Sequence, residues 1–213
     1  MSMLFTLAPD LRQVLRAGVL WLEGATVAEH DARMNAPLAA AEAAVRMRPP
    51  PEAVAVRTMY KRIGLDPTKT RPSSEALLRR VRRGDSLPRI NTMVDVCNWC
   101  SLEFQLPYGL YDAGRIEGDV ELRIGRAGES YPGIRKDDVR VDGRMALVDR
   151  AGPFGNPTSD SARTMVTTST TRGLLVVFSP RDLAPGQLDA VLDVTSRRMT
   201  TFTGCHEAGR LTV

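Results

Sequence analysis

Between Lys69 and Asp112 the chain reads KTRPSSEALLRRVRRGDSLPRINTMVDVCNWCSLEFQLPYGLYD, and this stretch constrains the fold more than any other. Ser73 stands directly before a run containing Leu77, Leu78 and Val81, and Gly84 closes it. A hydroxyl N-cap and a glycine C′ bracket a helix there. A turn over Asp85 to Pro88 leads into Asn91 to Phe104, where Met93, Val94, Cys97, Cys100, Leu102 and Phe104 form a broad apolar side. The polar set Asn91, Asp95, Asn98 and Ser101 is spaced four, three and three, which predicts one helix face. Asparagine and aspartate compete for the backbone and weaken helix interiors, so propensity alone does not account for them.

The rest of the chain is read around that helix pair. Val19-Leu20-Trp21-Leu22, between Gly18 and Gly24, predicts a buried strand, with a short helix the alternative. Pro37 to Met47 predicts a helix broken by Pro49-Pro50-Pro51, and Glu52 to Ile63 a second one closed by Gly64. Beyond Asp112, Val120 to Ile124, Met145 to Asp149, Thr164 to Thr168 and Leu174 to Phe178 are short, β-branched or alternating, and set among dense glycines. A last helix is expected from about Pro185 to Met199, with Leu188, Val191, Leu192, Thr195 and Met199 on one stripe. The expectation is an α+β fold, a mostly antiparallel sheet flanked by helices, in a single domain over 1–213.

At 213 residues the chain can bury a substantial core. No apolar run approaches the roughly 20 residues that span a bilayer, so no membrane partner is expected. Met1 to Thr6 carry no basic n-region, and three cysteines are too few for a disulfide framework, which together point to the cytoplasm. From Arg57 to Arg89 there are 10 Lys or Arg against 3 Asp or Glu, leaving 19 basic and 22 acidic residues elsewhere. The positive surplus therefore sits in one stretch. Either it is a solvated helix face or it meets phosphates.

Several motifs carry no catalytic reading. Cys97-Asn98-Trp99-Cys100 is a CxxC that Cys205-His206 could complete as a metal site. Both cysteines fall mid-helix among apolar neighbours, so they read as small buried hydrophobes; no metal or cofactor is expected. Only His30 and His206 could serve a Ser-His-Asp triad, and neither lies near the hydroxyl-rich segment 160–171. That segment reads as a strand with threonine outward, or as a set of groups binding a polar substrate.

The string Asn91-Thr92-Met93-Val94-Asp95-Val96-Cys97-Asn98, with Leu106-Pro107 and Tyr111-Asp112 behind it, resembles the signature of the B3/B4 domain. This is the editing and tRNA-associated domain of the phenylalanyl-tRNA synthetase β subunit. Arg71-Pro72-Ser73-Ser74 with Glu75, Leu77 and Leu78 resembles the free-standing members, and the likeness continues through Gly118-Asp119-Val120, Glu129, Asp149 and Asp160 to Thr164. It covers roughly residues 58 to 178, leaving an amino-terminal strand and helices over 1–57 and a carboxy-terminal helix within 179–213.

Carried over residue by residue, the resemblance implies a site but not an intact one. Where the synthetases have a threonine before the asparagine matching Asn98, this chain has Cys97; where they have a histidine, counting back from Asp112 gives Gly109. No acid occurs within Leu174 to Val177, where their glutamate falls. The resemblance implies a stand-alone protein that binds the aminoacylated 3′ end of tRNA and hydrolyses misacylated aminoacyl-tRNA in trans. Asn91, Asp95, Asn98 and Ser101 would form one wall of the site, and Asp160, Ser161, Arg163 and Thr164 the facing one. Arg71, Arg79, Arg80, Arg82, Arg83 and Arg89 would meet tRNA phosphates. The alternatives are a non-catalytic protein binding tRNA, a nucleotide or an amino acid, and a module docking on a synthetase or another protein.

Overall fold

The computed structural model describes residues 3–48, 52–134 and 137–213. Met1, Ser2 and the proline triplet at 49–51 lie outside the described residues. In chain order the elements are β1 (Phe5–Leu7), β2 (Leu15–Glu23), α1 (Asn35–Met47), α2 (Glu52–Arg62), α3 (Ser73–Arg82), α4 (Thr92–Phe104), β3 (Tyr108–Asp112), β4 (Val120–Ile124), β5 (Ser130–Pro132), β6 (Asp138–Arg140), β7 (Met145–Asp149), β8 (Gly152–Gly155), β9 (Arg172–Pro180), α5 (Gln187–Thr203) and β10 (His206–Thr212). The architecture is α+β and rich in antiparallel pairing.

Helix α4 is the hub. Asn91 sits in extended backbone as its N-cap, with Oδ1 accepting from the Val94 N–H at 3.0 Å. Gln105 ends the helix in the left-handed region at φ 54°, its amide donating to the Leu102 carbonyl at 2.6 Å. Between those ends Met93, Val96, Cys97, Trp99, Cys100 and Leu102 are all buried. A helix apolar on most of its circumference must be enclosed by other elements. Here α1, α3, α5 and β3 enclose it.

Helix α3 starts differently from the sequence expectation. Its N-cap is Pro72, with φ −55° and ψ 141°, and no side chain caps it. Ser73 is the first helical residue, and its N–H donates to the Pro157 carbonyl at 3.2 Å. A carbonyl from a distant loop thus satisfies one donor freed by the helix start, which no local pattern announces. Gly84 closes α3 as expected, at φ 98°.

Two four-stranded sheets share one hydrophobic cluster. The first has the order β1-β4-β7-β8, with β1 and β4 parallel; the second, β10-β2-β9-β3, is antiparallel throughout. Helix α5 lies so close to β2 that a Cβ on Gly18 would stand 3.0 Å from Leu188 Cδ1. On β3 the Tyr108 hydroxyl meets Thr195 of α5 at 3.0 Å. The other face of β3 turns to the first sheet, where the Tyr111 and Phe154 rings meet edge to face at 5.1 Å.

Thr164 to Thr168 is not a strand. It belongs to the loop between β8 and β9: apart from the Thr164 carbonyl, which accepts from the Asp112 N–H of β3 at 2.8 Å, its groups are held by single bonds from elsewhere and form no ladder among the described residues. Thr170 Oγ1 accepts from the Thr167 N–H at 3.0 Å and donates to Asp112 at 2.8 Å, while Asn91 donates to the Val166 carbonyl at 3.3 Å. The last helix begins after Pro185, at Gln187, and continues to Thr203. Strands β1, β3, β5, β6, β8 and β10 are additions to the sequence reading. No helix among the described residues is long and apolar enough to cross a membrane.

Candidate functional site

The polar face of α4 is mostly engaged in building the fold. Asp95 is buried, accepting from Arg89 Nε at 2.6 Å and from the Ile90 N–H at 2.8 Å. Arg89 continues to Asn35 Oδ1 at 3.0 Å and faces His30 Nδ1 at 3.3 Å. With Asn91 as cap, this cluster fixes how the chain enters α4. Ser101 donates to the Leu106 carbonyl at 2.8 Å and fixes how it leaves. Asn98 differs: it is half-buried, and its amide has no hydrogen-bond partner among the described residues.

The 160–164 segment shows the same division. Arg163 makes a two-toothed ion pair with Asp149, 2.9 Å at each oxygen, donates to the Arg115 carbonyl at 3.0 Å, and lies 5.6 Å above the Phe154 ring. Ser161 Oγ accepts from the Arg163 N–H at 3.0 Å, and buried Thr164 reaches toward the Phe154 carbonyl at 3.5 Å. These groups fasten the loop to β7 and β8. Asp160 is paired with Gly155 through a backbone bridge, and its charge acts on Tyr111, Tyr131 and Cys97. Burial first and the Asp160 charge second push the Tyr111 hydroxyl and the Cys97 thiol well above their ordinary ranges. Tyr111 itself is fully buried, its hydroxyl out of reach of solvent. Tyr131 is shifted up by the same two causes and donates to the Ser159 carbonyl at 2.5 Å.

Sequence reasoning met Tyr111 only as part of the family signature, not as a site residue, and its placement depends on two glycines. A Cβ built on Gly109 of β3 would overlap the Tyr111 hydroxyl, and so would one built on Gly155 of β8. Positions 109 and 111 share a face of β3, so the Tyr111 ring folds back across the gap left at 109. Val176 stands directly opposite Gly109, and Leu174 to Val177 are wholly buried. The position where the resemblance expects a histidine is thus filled by a phenol from two residues on. The Gly-x-Tyr spacing of Gly109 and Tyr111 was visible in the sequence, but the direction in which the ring folds was not.

The three cysteines are buried free thiols, Cys97 and Cys100 within α4 and Cys205 before β10. Among the described residues, no three His, Cys, Asp or Glu side chains cluster as a metal site.

The basic stretch divides into bound and free charges. Arg71 lies 3.5 Å from Glu75, which Arg57 also holds at 2.7 Å, and Arg80 Nε donates to the Ser86 carbonyl at 2.6 Å. Arg79, Arg82 and Arg83 are exposed, with no ion-pair partner among the described residues. Leu78 and Val81 of α3 are buried, which turns these arginines outward. Arg46 of α1 donates to the Val81 carbonyl at 2.9 Å and adds a further cation at the end of α3.

Comparison with known proteins bears on this arrangement. The profile of the B3/4 domain matches residues 55–184. The chain is 28% identical over 90 residues to the phenylalanine–tRNA ligase beta subunit of Paramagnetospirillum magneticum, a match covering 36% of this chain and 11% of that protein. It therefore spans only a small part of that relative's length. A solved N-terminal fragment of the phenylalanyl-tRNA synthetase beta-subunit from Pyrococcus horikoshii is similar over 100% of this chain and 55% of its own, with a TM-score of 0.57 and 11% identity. At that identity the likeness is one of fold.

Proposed function

Because the chain belongs to the B3/4 domain family, we propose that it binds tRNA in the cytoplasm and hydrolyses the ester of a wrongly attached amino acid in trans. The observation that supports this reading is half-buried Asn98 on α4, whose amide has no hydrogen-bond partner among the described residues, next to Cys97, on which the Asp160 charge acts. An aminoacyl ester is already activated, so a protein nucleophile is not required. An amide N–H can stabilise the developing oxyanion, and the half-buried Asp160 carboxylate can hold the ammonium group or orient a water. Asn98 supplies the amide from the α4 side. Arg79, Arg82 and Arg83 meet acceptor-stem phosphates through charge.

The test is deacylation of a panel of misacylated tRNAs by the wild-type chain and by Asp160→Asn, Tyr111→Phe and Asn98→Ala. Turnover of at least one tRNA, lost in Asp160→Asn while tRNA affinity stays, supports the proposal. No turnover of any misacylated tRNA removes the hydrolytic part.

One observation favours a second reading, binding without turnover. Tyr111 takes up space at Gly109 and Gly155 that a substrate side chain would otherwise use. Salt-sensitive tRNA affinity with no deacylation is the result this reading expects.

A further inference from the structure

A cleft of about 630 Å³ opens where the end of β2 meets β10, the start of β9 and the segment leading into β4. Its volume is in the range of small-ligand sites, roughly 300–1,000 Å³. The cleft is separate from the Tyr111 site. Trp21, Leu174 and Tyr111 lie opposite one another across β2, β9 and β3, which puts Trp21 two strands away, at about 10 Å. Fully buried Leu174 stands between them.

Two features of the lining point to a ligand. First, Glu23 and Arg172 are direct cross-strand neighbours of opposite charge, yet no ion pair joins them, and neither side chain has a hydrogen-bond partner among the described residues. Arg210, also at the cleft, is already held by Glu207 and Asp193 at 2.8 and 2.6 Å, so Arg172 is the guanidinium left over. Finally, Met3, Ile116 and the Trp21 ring make the rest of the wall apolar.

We propose that this cleft binds a free α-amino acid with an apolar or aromatic side chain. Its carboxylate meets Arg172, its ammonium group meets Glu23, and its side chain lies on the Trp21 ring against Ile116 and Met3. The opposed charges select this zwitterion over a polyanion: Glu23 and Asp119, both lining the cleft, repel a nucleotide's phosphates. Arg172 alone would suit either ligand. Glu23 beside it suits the amino acid.

The chain has two tryptophans, so Trp99→Phe leaves Trp21 as sole reporter. Titration of that variant with L-leucine, L-methionine and L-phenylalanine is expected to give a saturable change in emission, matched by calorimetry on the wild-type chain. Arg172→Gln and Glu23→Gln, both at exposed positions, should each weaken binding about tenfold or more at unchanged melting temperature. With leucinamide, which lacks the carboxylate, Arg172→Gln should make no further difference. Calorimetry showing no saturable binding by wild type up to about 10 mM amino acid overturns the proposal. Wild-type affinity in both charge variants, or preferred binding of adenosine monophosphate, overturns it as well. None of these readouts involves tRNA or ester hydrolysis.

Discussion

The hydroxyl of Tyr111 occupies the space into which a side chain at Gly109 would project. The two residues lie on one face of the same short strand, and the ring is held from its other edge by Phe154. A position that the family resemblance marks as polar and reactive is therefore, in this chain, a packing contact between a glycine and a phenol.

That contact predicts a specific stability pattern. Gly109→Ala should destabilise the protein by about 1–3 kcal/mol, the usual cost of forcing extra atoms into a filled core. Adding Tyr111→Phe removes the hydroxyl nearest the new methyl and should restore part of the loss. Urea denaturation of the single and double variants measures this. A Gly109→Ala variant as stable as wild type would show that Tyr111 does not sit where described.

The cluster at the start of α4 predicts a structural loss, separate from any loss of activity. The Asp95 carboxylate is 1% exposed and Arg89 is its ion-pair partner. Arg89→Ala leaves a buried charge with only the Ile90 N–H, and should cost toward the low end of the roughly 3–5 kcal/mol typical of breaking such pairs. Asn91→Ala should cost about 1 kcal/mol for the cap. If Arg89→Ala lowers tRNA affinity while the denaturation midpoint stays put, Arg89 is a phosphate contact instead.

Acid should weaken the protein through Glu129. Its side-chain hydrogen bonds to Arg123 and its bond from the Arg126 N–H outweigh desolvation and lower its pKa from 4.5 to about 2. A carboxyl depressed on folding contributes stability that is complete above the unfolded pKa and is lost as pH falls through the folded one. The window is therefore about pH 4.5 down to about 2, and the contribution at stake is roughly 2–3 kcal/mol. Between pH 5 and 2.5, Glu129→Gln should lose less stability than wild type. Parallel loss in both would exclude Glu129 as the source.

On α3 the free arginines predict charge-driven tRNA binding. Changing Arg79 and Arg83, four residues apart and both exposed, to glutamine should weaken binding for all tRNAs alike. The slope of log affinity against log salt should flatten by roughly one unit for each lost phosphate contact. Unchanged affinity and slope would reduce the basic stretch to a solvated face.

How much of this was legible in the sequence depended on how local the cause was. Asn91 to Phe104 announced a helix, Gly84 its neighbour's end, and Val120 to Ile124 and Met145 to Asp149 appear with those bounds, because caps, periodicity and strand alternation act over a few residues. The family signature in the same stretch also marked the α+β class. What local pattern could not carry were contacts between distant segments. Ser73 lost its expected capping role once Pro157, far along the chain, supplied a carbonyl. The threonines of 164–168 became a loop through bonds from Asn91 and to Asp112. Asp95 and Arg163 were marked as site residues by type, and only packing against Arg89 and Asp149 shows them holding the fold. Tyr111 fills the space at Gly109 because β8 brings Gly155 and the Phe154 ring against it. Residue type and spacing determine which elements can form and which side chains can do chemistry; whether a polar group faces a partner, a ligand or the core is decided only when remote parts of the chain compete for it.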